Sequence, residues 1–247
     1  MTAGSQGRTT PRYRLLTAGD TALAVEFEGE VNPRLGAMIL ALADRLSNEK
    51  LEGVTETIPA FRSLLVHYEP LVLSPERLSA RLSELMQDLE GREQVGNCWR
   101  IPVCYDPSVA PDLAEVAART GFSCAQVIER HSAILYYVYM LGFLPGQAYM
   151  GDLPAELALP RRASPRTKVP AGSLAIATNM TCIFPLETPC GWHVIGRSPV
   201  TLWDRRRGRA LLRAGDRVHF SPVSLHEYEH LAAQAASGLL DTTGAAA

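Results

Sequence analysis

Between Leu141 and Ala177 the chain meets proline at 145, 154, 160, 165 and 170, and glycine at 142, 146, 151 and 172. Proline removes a backbone donor and fixes φ, so no helix of useful length survives this spacing. Such punctuation fixes a loop with little conformational freedom, which suits a surface that holds a ligand in place. Strand-like pieces lie between the Pro and Gly breaks: AILYYVYMLGFLPG, VPAGSLAIAT, MTCIFPLETP, WHVIGRSPVTLW and RALLRAGDRVHF. Short strands separated by turn residues predict a β-barrel or sandwich for the second half of the chain. Ahead of them, IPVCYDPSVAPDL gives a strand and a proline-rich loop. Asp112 to Arg119 then reads as a short helix stopped by Gly121, and Ser123 caps another. A last helix is expected from Leu225 to about Ala236.

The first half follows other rules. YRLLTAGDTALAVEF is a hairpin turning at Gly19-Asp20. Asn32 caps a helix with Pro33 at its first position and Leu35, Ile39, Leu42 and Leu46 at helical spacing. GVTETIPAFRSLLVHYEP gives two strands split at Pro59. Ser74-Pro75-Glu76 opens a second helix to about Glu90, with Leu78, Leu82, Leu85 and Leu89 on one face. The order ββαββα, followed by a strand near Trp99 to Val103, predicts two helices on one face of a small antiparallel sheet. The expected layout is an α+β domain over 12–97, a mainly-β barrel domain over 98–237, and tails at 1–11 and 238–247.

Charge and length exclude several classes. Lys and Arg number 24 against 26 Asp and Glu, which argues against a nucleic-acid partner. The longest apolar stretch, Ala133 to Leu144, falls short of the roughly 18 residues of a membrane span and carries three tyrosines. The first residues lack the apolar core of a signal peptide. Five cysteines (98, 104, 124, 182 and 190) form no C-x-x-C and leave an odd one over. A disulfide frame or cysteine zinc site is not expected, and a reducing cytoplasm is.

Four features bear on chemistry. Arg161, Arg162, Arg166 and Lys168 fall within eight residues that hold no acid. Guanidinium groups suit carboxylate or phosphate, while a solvated turn has the same composition. WDRRRGR, Trp203 to Arg209, reads as an exposed hairpin tip. His226-Glu227-Tyr228-Glu229-His230 matches H-E-x-x-H, the zinc-protease pattern. Ser224 and Glu227 equally fit a capping box, and that reading is preferred, so no metal is expected. His131 ends a short helix, where it satisfies terminal carbonyls or serves as a general base.

The blocks GFLPGQAYMGDLP, PRRASPRTKVPAGSLAI and FPLETPCGWHVIGRSP, in this order, resemble the signature blocks of the B-type subunit family of ATP-dependent 5-oxoprolinase. The same family includes allophanate hydrolase subunit 1 and the sporulation-kinase inhibitor KipI. The resemblance extends over nearly the whole chain. It implies a ferredoxin-like first domain and a cyclophilin-like barrel. It also implies a cyclophilin-like C-type subunit as partner, a separate A-type subunit, ATP shared with the partner, and Mg only as the companion of ATP. The implied reaction is lactam phosphorylation and ring opening of 5-oxoproline to glutamate. A kinase-inhibitor role and a urea or allophanate carboxyltransferase role stand as alternatives. By this resemblance Arg161, Arg166, Lys168, Tyr149 and His131 are the candidate catalytic residues. Pro145, Gly146, Gly151, Pro170, Gly172 and Ser173 form the candidate ligand loop. Gln147, Ala175, Ala177, Asn179, Cys182 and Cys190 depart from the family pattern, mostly where glycine is usual.

Overall fold

The computed structural model describes residues 12–87, 89 and 96–237. The chain divides into two compact units, Met1–Gln94 and Val95–Ala247.

The first unit is a four-stranded sheet with two helices. β1 (Tyr13–Thr17), β2 (Ala22–Phe27), β3 (Val54–Pro59) and β4 (Ser63–Tyr68) lie in the order β1-β2-β4-β3. Every pairing is antiparallel. α1 (Pro33–Glu49) starts where the Asn32 side chain accepts the Leu35 N–H at 2.9 Å. α2 (Pro75–Leu85) starts at Ser74 in the same way. Leu35, Ile39, Leu42 and Leu46 of α1 and Leu78, Leu82 and Leu85 of α2 meet Leu23, Val25, Phe27, Leu64 and Val66 of the sheet in one apolar cluster. Spacings of three and four residues put these leucines on one face. α2 is shorter than expected. Gln87 and Leu89 donate to carbonyls three residues back, which tightens the chain after Leu85 and ends the helix. Leu89 is still buried beyond it, and Glu90 lies outside the described residues.

The second unit is a closed barrel. Its strands are β5 (Cys98–Cys104), β6 (Leu135–Leu141), β7 (Ala148–Gly151), β9 (Ser173–Ala177), β10 (Met180–Ile183), β12 (His193–Arg197) and β15 (Arg217–Val223). They close in the order β10-β7-β6-β15-β5-β12-β9. β15 and β5 run parallel, and the other neighbours are antiparallel. Closure leaves no strand edge open to pairing. The strand expected near Trp99 is therefore a barrel stave. α3 (Leu113–Thr120) and α4 (Cys124–Ser132) lie between β5 and β6, and α5 (Leu225–Ala236) follows β15. Ser123 and Gln126 form a reciprocal capping box at the start of α4. Two small hairpin-like pairs sit outside the ring: β8 (Arg166–Val169) with β11 (Thr188–Cys190), and β13 (Trp203–Asp204) with β14 (Arg209–Ala210).

Strand alternation builds two cores here. Leu174, Ile176, Ile183, Met150, Val138, Ile101, Ile195 and Phe220 belong to a cluster fed by all seven barrel strands and by α3 and α4. Their neighbours in sequence face the other way. Ala175, Ala177, Cys182 and Val194 pack with Val169, Cys190, Trp192 and Phe184 in a second cluster beneath the β8–β11 pair. No described helix is long and apolar enough to cross a membrane.

Candidate functional site

The segment before β8 is held by a carboxylate that the local sequence does not contain. Asp112 stands at the N-cap position of α3, yet its side chain makes no capping bond. It is 1% exposed and points at the 160–166 segment. Its Oδ1 accepts from Arg162 at 2.8 Å and from the Arg166 guanidinium. Its Oδ2 accepts from the Val194 N–H at 2.8 Å and from Arg166 Nε at 3.3 Å. Arg162 also donates to Glu115 at 2.8 Å. That hydrogen bond, with the guanidinium charge behind it, holds the Glu115 carboxyl below its usual range. The hydrogen bond to Asp112 raises the Arg166 guanidinium further above its ordinary value. Two backbone contacts complete the clamp. Arg162 N–H donates to Gly191 O at 2.8 Å, and His193 Nε2 donates to Pro160 O at 3.0 Å.

This clamp supplies part of the run of cations with carboxylates from the same chain. Arg166 is committed to a buried carboxylate of its own chain. Lys168 reaches Glu187 at 2.9 Å, with both side chains more than half exposed. Arg161 differs from its neighbours. Among the described residues it has no carboxylate partner, and its guanidinium stands 6.0 Å from the centre of the Trp192 ring. Tyr149 lies edge-on to the same ring, with centroids 5.9 Å apart. Burial raises the Tyr149 phenol, as does the neighbouring Cys182, while the Arg161 charge opposes the shift. The phenol is therefore a hydrogen-bond donor at neutral pH. Cys182 and Cys190 are raised by burial and remain thiols. Gln147 directs Nε2 at Cys182 Sγ across 3.9 Å and leaves its buried Oε1 without a partner. Arg161, Tyr149 and Trp192 thus form a small shelf with one cation and one protonated phenol. Trp192 of the shelf and Asp112 of the clamp are residues that the sequence alone does not single out. The tryptophan lies in the block FPLETPCGWHVIGRSP, but nothing in its spacing says which cation it meets.

His131 is a second case. It is fully buried, stacked on Phe220 with centroids 5.1 Å apart. Thr181 Oγ1 donates to Ala175 O, so His131 Nε2 donates to Thr181 Oγ1 at 3.1 Å and Nδ1 accepts from the Tyr105 hydroxyl at 3.0 Å. Desolvation lowers its pKa to about 3, which keeps the ring neutral. It has no exposed surface and ties α4 to the barrel interior.

The candidate ligand loop also packs on its own chain. Gly146 has φ +79, and a Cβ there meets Leu202 O at 2.8 Å. Gly172 has φ +83, and a Cβ there meets Ser198 O at 2.2 Å. Only glycine meets both demands. Gly151 lies against the Tyr139 ring. Ser173 Oγ donates to Pro170 O at 2.8 Å, while Pro145 and Pro170 are exposed at turns. The methyl groups of Ala175 and Ala177 and the Cys182 thiol are fully buried in the second cluster. On α5, the Ser224 side chain accepts the Glu227 N–H, and Gln234 Nε2 lies 3.0 Å from His230 Nε2. Among the described residues, no group of three or more His, Cys, Asp or Glu is placed to hold a metal ion.

Comparison with known proteins places this geometry. Residues 13–212 match the model of the carboxyltransferase domain, subdomain C and D. The B subunit of the Bacillus subtilis 5-oxoprolinase is 36% identical over 234 residues, which cover 89% of this chain and 96% of that protein. The protein of the same name from Escherichia coli O157:H7 is 40% identical over 216 residues, covering 85% of this chain and 96% of it. The fold of the K. lactis urea amidolyase superposes with a TM-score of 0.80 at 18% identity. The match covers 98% of this chain and 17% of that much longer one.

Proposed function

The chain belongs to the carboxyltransferase family, subdomains C and D, and from that premise we propose that it is the B-type subunit of an ATP-dependent 5-oxoprolinase-type complex. The observation that carries this reading is identity of 36–40%, over 85–89% of this chain, with proteins named as the B subunit of 5-oxoprolinase. In this reading the first unit is ferredoxin-like and the barrel is cyclophilin-like. The partners are a cyclophilin-like C-type subunit and an A-type subunit, and the complex is cytoplasmic.

The net reaction couples addition of water across the lactam C–N bond to hydrolysis of ATP, so 5-oxoproline, ATP and two waters give glutamate, ADP and phosphate. A lactam carbonyl is a poor electrophile, because the ring nitrogen feeds electron density into it. When bound, ATP supplies the phosphoryl group that makes the lactam oxygen a leaving group. This chain's shelf contributes charge and orientation. Arg161, an exposed cation beside the Trp192 ring, faces the substrate carboxylate. Tyr149 donates a hydrogen bond beside it, and Trp192 provides the flat apolar wall. One cation and one phenol are only part of such a site, so the remaining groups come from the C-type partner. Asp112 holds the loop that carries Arg161 and acts as a positioning residue.

The test is reconstitution. The purified chain alone is expected to release no glutamate from 5-oxoproline and ATP, and a mixture with the C-type and A-type subunits is expected to do so. Steady turnover by the single chain, or none by the full mixture, overturns the reading.

A further inference from the structure

The hairpin β13–β14, expected to be an idle tip, forms one wall of a broad groove of about 1260 Å³. The groove is lined by Arg197, Arg205, Arg206, Arg207, Arg209 and Arg213 and, among the described residues, by one acid, Asp204. Five of these arginines are exposed and Arg197 is half-buried. What sets the groove apart is the number of unpaired cations it gathers in one place. Elsewhere in this unit Arg119, Arg130, Arg162, Arg166 and Lys168 each reach a carboxylate, while Arg100 and Arg161 reach none among the described residues. In the groove, among the described residues, Arg207 alone does, at 3.6 Å from Asp204. Asp204 is otherwise occupied in the turn, where Oδ1 accepts the N–H groups of Arg206 and Arg207. Among the described residues, Arg205, Arg206, Arg209 and Arg213 have no carboxylate partner. The chain as a whole is slightly acidic, with a net charge of −2. An unneutralised set of guanidinium groups repels itself and attracts a multiply charged anion.

Two further features narrow the class of anion. Trp99 and Trp203 line the same groove and are half-buried, so each keeps part of an indole surface exposed. Trp99 is fixed by its Nε1–H, which donates to Asp216 at 2.8 Å. Arginine forks match phosphate oxygens in pairs, and an indole offers a face to a planar base. The volume exceeds that of a small-ligand pocket and leaves the groove open on one side.

We propose that this groove binds a nucleoside triphosphate, with its phosphates on the arginines of the β13–β14 hairpin and of Arg213, and its base on the exposed indole surface. The proposal rests on the 5-oxoprolinase reading only in that ATP is the nucleotide that reading requires. It places the triphosphate on residues other than the Arg161 shelf.

The experiment titrates the full chain with ATP, inorganic triphosphate and an octaglutamate peptide. Calorimetry and tryptophan emission are read at about 0.15 M salt, where weak surface attraction is screened. ATP is expected to bind more tightly than triphosphate and much more tightly than octaglutamate. Arg209→Ala with Arg213→Ala should weaken ATP binding about tenfold or more, the loss of charge-assisted bonds. Arg206→Ala, on an exposed turn, gives the same direction should the double variant fail to fold. Arg77→Ala, on exposed surface of α2, should leave binding unchanged. Absence of ATP binding, insensitivity to the arginine variants, or octaglutamate binding as tight as ATP overturns the proposal. Triphosphate as tight as ATP overturns the role of the indoles. If the reconstituted complex consumes 5-oxoproline while the groove variants bind ATP normally, only this proposal fails. If the groove binds ATP and the complex has no such activity, only the functional reading fails.

Discussion

Two arginine-rich segments of the barrel unit exchange roles between sequence and structure. Arg161 to Lys168 looks bare in the sequence, because no acid interrupts it. In space it is largely neutralised by Asp112, Glu115 and Glu187, which come from about 20 to 50 residues away. Trp203 to Arg209 contains its own acid and reads as an ordinary turn. In space it joins Arg197 and Arg213 around one groove that, among the described residues, has no other carboxylate in its lining. Local charge therefore does not locate an anion site. What counts is whether the fold brings a partner, and the buried Asp112 shows how completely it can.

The sharpest way to break this contrast is to remove that partner. Asp112→Ala leaves Arg162 and Arg166 facing each other in a half-buried site and frees the Val194 N–H. The expected loss is about 3–5 kcal/mol, the range for one side of a buried ion pair. Urea melts of the variant measure it. Glu115→Gln should cost less than about 1 kcal/mol, because Glu115 is 44% exposed. Equal effects of the two changes would mean that burial of Asp112 is not what holds the loop.

His131 sharpens the comparison from the opposite side. It is a basic side chain given neither an acid nor water, so it surrenders its charge. Its folded pKa, about 3, lies below the ordinary value of 6.5. Below about pH 6.5 the unfolded chain binds a proton that the folded chain refuses. Stability is therefore complete above that pH and falls toward pH 3, by up to about 5 kcal/mol in all. Denaturant midpoints across this window should show the slope. His131→Gln should flatten it, even though the variant is less stable at every pH. An unchanged slope would assign the acid sensitivity to carboxylates instead.

Within the first segment, function should separate from stability. Arg161→Ala is expected to lower the activity of the reconstituted complex about 10²-fold, the size seen when one transition-state donor is lost. Its melting temperature should stay the same, since Arg161 has no ion pair to lose among the described residues. Arg166→Ala should lower both, because it disturbs the clamp. If Arg161→Ala acts only through melting temperature, the shelf has no catalytic part.

The same contrast explains what was legible. Periodic leucines and caps gave both helices of the first unit, and α1 begins at Pro33 as its cap and proline require. α5 spans the expected Leu225–Ala236. Proline and glycine spacing marked the short strands, but periodicity cannot say whether such strands close. Closure depends on β15 pairing with β5, more than 100 residues earlier. The site was legible only in its residue types. Arg161 and Tyr149 stand out in the sequence, whereas the acid that occupies Arg166 and the ring beneath Arg161 come from distant strands and helices. His131 was misplaced for a related reason. A histidine at a helix end looks accessible until a barrel is built around it.

The smallest effect gives the most discriminating sign. Lys168 and Glu187 form an exposed pair, so Lys168→Ala should destabilise slightly, by about 0.5 kcal/mol or less. Arg206→Ala removes one charge from a set of like charges with a single acid. It forfeits no side-chain ion pair among the described residues, because Asp204 holds the Arg206 backbone N–H rather than its guanidinium. Its effect should be of similar size and opposite sign, a slight stabilisation at low ionic strength. The difference should fade at about 1 M salt, where the screening length is roughly 3 Å. Paired urea melts at two salt concentrations resolve it. A clear destabilisation by Arg206→Ala at low salt would mean that the guanidinium already has a partner, and the contrast between the two segments would then be lost.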